Sequence, residues 1–181
     1  MRLLLLSFFS LFAGIYATPV ALFSTQSAQI NMTLALSITT SAGNNNQAES
    51  VIDMEKHTVR FSMKIKDFKF DNYFVESAFE DSYMEASKYP EANFQGKLKT
   101  PINLKIKTLQ KIEVAGDLTM HGIKKTKSMV AHVTVVSPTQ IKVTSDFVIK
   151  ASEHKIDIAP SMFANGKDEI KASLNATYQK K

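Results

Sequence analysis

Four histidines, one acidic segment and one lysine cluster are the groups in this chain whose types could do chemistry. His57, His121, His132 and His154 are the imidazoles. None stands at ligand spacing from another histidine or from a carboxylate, as a metal motif on one helix face or hairpin requires. His121 precedes a glycine, and the expectation there is an imidazole fixed by hydrogen bonds to the turn backbone, outside any catalytic role. Glu76, Glu80, Asp81 and Glu85 lie close together. Paired carboxylates act as acid and base when burial separates their pKa values. Here serines and lysines intervene, which reads as a solvated face. Lys124, Lys125 and Lys127 could meet a phosphate or an acidic surface, but a charged strand end is the simpler reading. The 181-residue chain has no cysteine, which removes thiolate nucleophiles, thiolate metal sites and a disulfide framework. No phosphate loop or nucleophile elbow is present. No catalytic residue, metal site or cofactor is expected.

The elements that would carry these groups are mostly strands. Ile30, Met32, Leu34, Leu36 and Ile38 alternate with polar or small residues, the period of a half-buried strand. Ser41 to Gln47 reads as a polar loop, Val51–Asp53 as a short strand, and Glu55-Lys56 as its turn. His57, Val59, Phe61, Met63 and Ile65 then face one side. The apolar face shifts register at Asp67 to Phe68 and Phe70, the pattern of a β-bulge. Phe79, Tyr83 and Met84 stand at helical spacing, predicting one short helix within Glu76–Lys88, which Pro90 closes. Further strands are expected at Asn93–Lys99, Ile102–Lys107, Lys111–Met120, Lys125–Val136, Gln140–Lys150 and Glu169–Gln179. Turn formers separate them at Thr100-Pro101, His121-Gly122, Ser137-Pro138 and Asn165-Gly166. The class is all-β, a sandwich or a barrel. The long hairpin across His121-Gly122 favours a barrel.

The first residues read differently. Met1-Arg2, the apolar run Leu3 to Phe12, and the small residues Ala13, Gly14 and Ala17 follow the order of a secretory signal. Its expected extent is residues 1–17, or as far as 28 if cleavage follows Ala28, with the folded domain over 29–181. The protein is therefore expected in the periplasm or outside the cell. Net charge is +5, interleaved with acids and not clustered, so nucleic acid is not an expected partner.

Two segments carry a family resemblance. Phe79-Glu80-Asp81 through Lys88-Tyr89-Pro90-Glu91-Ala92-Asn93-Phe94 resembles the acidic helix and Lys-Tyr-Pro-x-Ala-x-Phe run of YceI-like proteins. Gly116-Asp117-Leu118-Thr119-Met120-His121-Gly122 resembles their Gly-x-Leu-Thr-x-His-Gly hairpin. Ala78 stands where the family usually has a histidine. The resemblance implies an extended antiparallel, lipocalin-like β-barrel of about eight strands with one short helix, exported from a bacterium. It also implies that the barrel sequesters a long-chain isoprenoid or acyl ligand. The alternatives are a ligand-free structural or stress-related envelope protein and, behind it, a secreted enzyme. Transient membrane-surface contact and a homodimer are compatible with the pattern. The expected lining is Phe61, Met63, Ile65, Phe68, Phe70, Phe79, Tyr83, Tyr89, Phe94, Leu118, Met120, Phe147 and Ile149, with Tyr83 and Tyr89 as polar handles.

Overall fold

Alternation of large apolar with polar residues commits most of this chain to strands with one buried face. The computed structural model describes residues 21–35, 40–158 and 168–181. The strands are β1 (Leu22–Ala35), β2 (Thr40–Asp53), β3 (Thr58–Lys64), β4 (Lys69–Phe70), β5 (Glu91–Leu98), β6 (Gln110–Met120), β7 (Ile123–Ser137), β8 (Gln140–Lys150) and β9 (Glu169–Lys180). They form one antiparallel sheet in the order β1-β9-β8-β7-β6-β5-β3-β2, and pairing of β1 with β2 closes it into an eight-strand barrel. β4 is a two-residue extension on the first half of β2. The all-β barrel with one short helix is as expected.

The first strand takes in residues on both sides of position 29. β1 begins at Leu22, with Phe23 and Ala28 fully buried and Phe23 paired to both Ile52 and Lys180. Leu36 and Ile38 of the expected first strand, and the Asn165-Gly166 turn, fall outside the described residues.

Ser41 to Gln47, expected as a loop, is the first half of β2. Its inward positions are Ser41, Gly43 and Asn45, small or polar side chains that hide the strand period in a hydropathy reading. They are buried because their polar atoms find partners. Ser41 Oγ donates to Asp71, and Asn45 Nδ2 donates to the Lys64 carbonyl at 3.0 Å while its Oδ1 accepts from Gln47 N at 2.9 Å. Gly43 leaves room for the Phe70 ring, which a Cβ there would meet at 2.5 Å.

The converse error falls on Ile102–Lys107, where no strand forms. Asn103 Oδ1 accepts from Lys105 N at 2.9 Å, and the Gln110 side chain binds the backbone at Asn103 and Ile106. These local bonds satisfy a compact loop in place of a ladder.

At Asp67 the register change is made by a 3-10 turn over Ile65–Asp67, not by a bulge within one strand. The short helix begins earlier than expected. Helix α1 (Tyr73–Ser77) is capped by Asn72, whose Oδ1 accepts from Phe74 N at 2.9 Å, and it runs on as a π-helical turn over Ala78–Tyr83.

Candidate functional site

The barrel is hollow. A cavity of about 400 Å³ runs inside it, lined by residues of β1, β2, β3 and β5 to β9. The wall is mostly aliphatic, with Phe61, Phe94, Phe147 and Tyr178 as its aromatic members. Ile102, from the loop between β5 and β6, also faces the cavity.

Of the residues singled out from sequence, Phe61, Met63, Phe94, Leu118, Met120, Phe147 and Ile149 line this cavity. Ile65, Phe68, Phe70, Phe79, Tyr83 and Tyr89 do not. Phe68 and Phe79 are buried, and their rings pack edge to face with centroids 5.4 Å apart; Phe70 closes the cluster at 5.0 Å from Phe79. Ile65 is buried on the 3-10 turn, and Tyr83 packs half-buried against the core. Tyr89 lies edge-on to the His121 ring, centroids 4.6 Å apart, and covers Gly122. Neither Tyr83 nor Tyr89 is among the groups that face the cavity.

The polar groups that do face it are Tyr178, Ser50 and Ser145, with Lys127, Ser128 and Asp146 at one side. Tyr178 Oη donates to Ser50 Oγ at 2.9 Å, and Ser50 Oγ donates to the Arg60 carbonyl at 2.8 Å. Burial pushes the Tyr178 hydroxyl up to about 12, so it stays neutral. Ser145 Oγ donates to the Val130 carbonyl at 2.8 Å. Every one of these three interior hydroxyl protons is committed to the protein, so this wall suits an apolar chain. Tyr178 was missed because its alternating neighbours on β9, Ala172, Leu174 and Ala176, are small or unremarkable. The period alone would have placed it inward.

The histidines and carboxylates meet elsewhere. His121, at φ 51° in the turn between β6 and β7, has Nε2 2.7 Å from Glu85 Oε2 and Nδ1 3.1 Å from the His154 carbonyl. It is thus held by a distant carboxylate and a distant carbonyl, where turn-backbone bonds were expected. The acidic segment is likewise not a freely solvated face. Glu76 accepts from Lys69 Nζ at 2.8 Å and from Phe70 N at 2.9 Å, which hold its carboxyl below the usual range. Glu80 lies 3.5 Å from Lys66 Nζ. His154 is fully buried, Nδ1 donating to the Ile123 carbonyl at 3.1 Å, and burial lowers its pKa. Its Nε2 has no hydrogen-bond partner among the described residues. Glu85, His121 and His154 are outside the cavity lining. Among the described residues no three metal-ligating side chains come together, and no helix is long and apolar enough to cross a membrane.

A closed antiparallel barrel with a mostly apolar interior cavity has the architecture of a ligand-binding barrel. Comparison with known proteins gives the class its family: the YceI-like domain matches residues 22–178, and the chain belongs to the YceI-like family. Among solved structures, a polyisoprenoid-binding domain from Saccharophagus degradans, implicated in plant cell wall breakdown, is similar at TM-score 0.74 and 13% identity, covering 90% of this chain and 99% of that one. BcnA of Burkholderia cenocepacia is similar at TM-score 0.68 and 15% identity, over 83% of this chain and 95% of that one. The YceI protein of Campylobacter jejuni is similar at TM-score 0.58 and 20% identity, over 77% of this chain and 84% of that one. No curated protein matches the sequence. At these identities the solved structures establish the shared fold.

Proposed function

We propose that this protein is an exported carrier that sequesters a long isoprenoid chain, or a fatty-acyl chain of similar shape, inside its barrel. The observation that carries the reading is the apolar cavity whose three interior hydroxyl protons are already committed. Each methylene moved from water into such a wall contributes about 0.8 kcal/mol, and ordering the chain offsets part of that gain. Membership of the YceI-like family and likeness to a polyisoprenoid-binding domain favour an isoprenoid over other lipids.

The mechanism is exclusion of water and needs no catalytic group. Glu85 and His121 meet outside the cavity, so a ligand in the barrel is away from them. Export is supported by the order of charge, apolar run and small residues over residues 1–17. Cleavage after Ala17 would leave β1 whole, whereas cleavage after Ala28 would remove half of it. Transient membrane contact is supported by Tyr73 and Phe74 of α1, which stand 77% and 81% exposed side by side.

Mass spectrometry of an organic extract tests the reading. Protein purified from its native host without detergent should release an isoprenoid or acyl species in stoichiometric amount. A clean extract, repeated from that host, would replace the carrier with a ligand-free structural barrel.

A further inference from the structure

The wall of the barrel is incomplete between β7 and β8. β6 pairs with β7 along its whole length, Gln110 with Val133 to Met120 with Ile123, and β8 pairs with β9 from Gln140–Gln179 to Lys150–Glu169. Between β7 and β8 the ladder stops at His132–Thr144. From there β7 runs on to Ile123 and β8 to Lys150, each in a ladder only on its far edge. The gap is therefore not a frayed end, because both strands that border it are fixed from behind.

The cavity lining carries the mark of this gap. On every other contributing strand only alternate residues face the cavity, as a pleated wall requires. On β7 the consecutive residues Lys127 to Ala131 line it, and on β8 the consecutive residues Ser145 to Ile149. Residues of both faces can border one space only where that space passes between the strands. Val148, an outer-face residue at this point, is 47% exposed and gives the slit an apolar lip.

Bridges hold the slit at its two limits. Ser145 Oγ donates across it to the Val130 carbonyl, next to the last ladder pair. Beyond the far end, Lys127 pairs with Glu153, and His154 Nδ1 donates to the Ile123 carbonyl. Other elements sit at the two ends of β6. Ile102 of the β5–β6 loop lines the cavity beside the start of β6. At the other, Glu85 and Tyr89 hold the helical segment against the β6–β7 turn. A closed barrel normally leaves no unpaired strand edge, and here two face each other over an apolar space.

The geometry points to a lateral portal: a long apolar chain enters the barrel sideways between β7 and β8, tail first, and its polar end stays at the outer lip near Ser128 and Asp146. This inference rests on the carrier reading and adds the route and the orientation. An opening along the strand suits an extended chain, which can slide in along its length. The interior offers the polar end no uncommitted hydroxyl proton, so that end keeps its water outside.

Cross-linking across the slit tests the route. Continuing the register of His132 and Thr144 sets Ser128 opposite Val148, and the chain has no cysteine of its own. The Ser128→Cys/Val148→Cys variant is joined by a cleavable bis-maleimide, and uptake and release of retinol, a fluorescent isoprenoid alcohol, are followed with and without the link. Linking is expected to slow both by about tenfold or more, as blocking a gating step does. Cleaving the linker should return both to the rates of the unlinked double variant, which also excludes misfolding as the cause, and protein loaded before linking should retain retinol. Ser145→Ala, which removes the bridge without any link, should speed uptake and release together. Equal rates in linked and cleaved protein would overturn the portal and leave the carrier reading standing. A cleaved variant and parent protein that both fail to take up retinol would overturn the carrier reading and the portal with it.

Discussion

Two groups of phenylalanine in this barrel have the same chemistry and opposite uses. Phe68, Phe70 and Phe79 pack ring against ring, and none of them lines the cavity. Phe61, Phe94 and Phe147 stand on the barrel wall and face a cavity. The first group has its contacts supplied by the chain; the second has contacts that the chain does not supply. The comparison teaches that an inward apolar residue is a candidate ligand contact only where no element of the fold fills the space before it. In this protein the segment from β4 to β5 does that filling for one group and stops short of the other.

Substitutions should separate the two groups. Phe79→Ala removes a buried ring from a filled cluster and should lower unfolding free energy by about 3–5 kcal/mol in urea titrations. Its folded form should bind an isoprenoid alcohol as the parent does. Phe147→Ala removes a half-buried ring already bordered by empty space, so the loss should be nearer 1–2 kcal/mol, accompanied by weaker chain binding. Equal stability losses for the two would erase the distinction between packed cluster and cavity wall.

The buried polar groups sharpen it further. Tyr178→Phe removes one hydroxyl and leaves Ser50 Oγ bonded to the Arg60 carbonyl, so the expected loss is about 1 kcal/mol, with chain affinity unchanged. A large loss of affinity would give Tyr178 a role in ligand recognition beyond lining. His154 belongs to the packed side and adds a pH dependence. Burial holds its folded pKa below the ordinary value near 6.5. The unfolded chain therefore takes up a proton that the folded chain refuses, and stability falls as pH drops below about 6.5 until the lowered pKa is reached. Melting temperatures followed from neutral to mildly acidic pH should show this fall, reduced in His154→Gln.

Much of the fold was legible because strand period and turn chemistry agree over most of the chain. Six of the strands, from β3 and from β5 to β9, follow alternation with apolar side chains inward, β9 with smaller ones than the rest. The misreadings have one physical source. Hydropathy detects a buried face only when burial is apolar. The first half of β2 buries Ser41, Gly43 and Asn45 through hydrogen bonds and close ring contact, so it resembled a loop. Ile102 to Lys107 alternates yet satisfies its backbone locally, so it resembled a strand. The site was half legible for the reason that opens the comparison. Apolar pattern marks both Phe61 and Phe79 for burial, but it does not show that the segment from β4 to β5 packs around one and stops short of the other. The slit between β7 and β8 leaves no trace in hydropathy, since both strands alternate normally on either side of it.

Filling the cavity tests the central claim most directly. Met129 faces the cavity from β7, and Met129→Trp would occupy that space with protein. Titrating parent and variant with retinol, with circular dichroism to verify the barrel, should give saturable binding by the parent and its loss by tenfold or more in a folded variant, a difference of about 1.4 kcal/mol or greater. Equal binding by parent and folded variant would contradict the account and place any ligand outside the barrel.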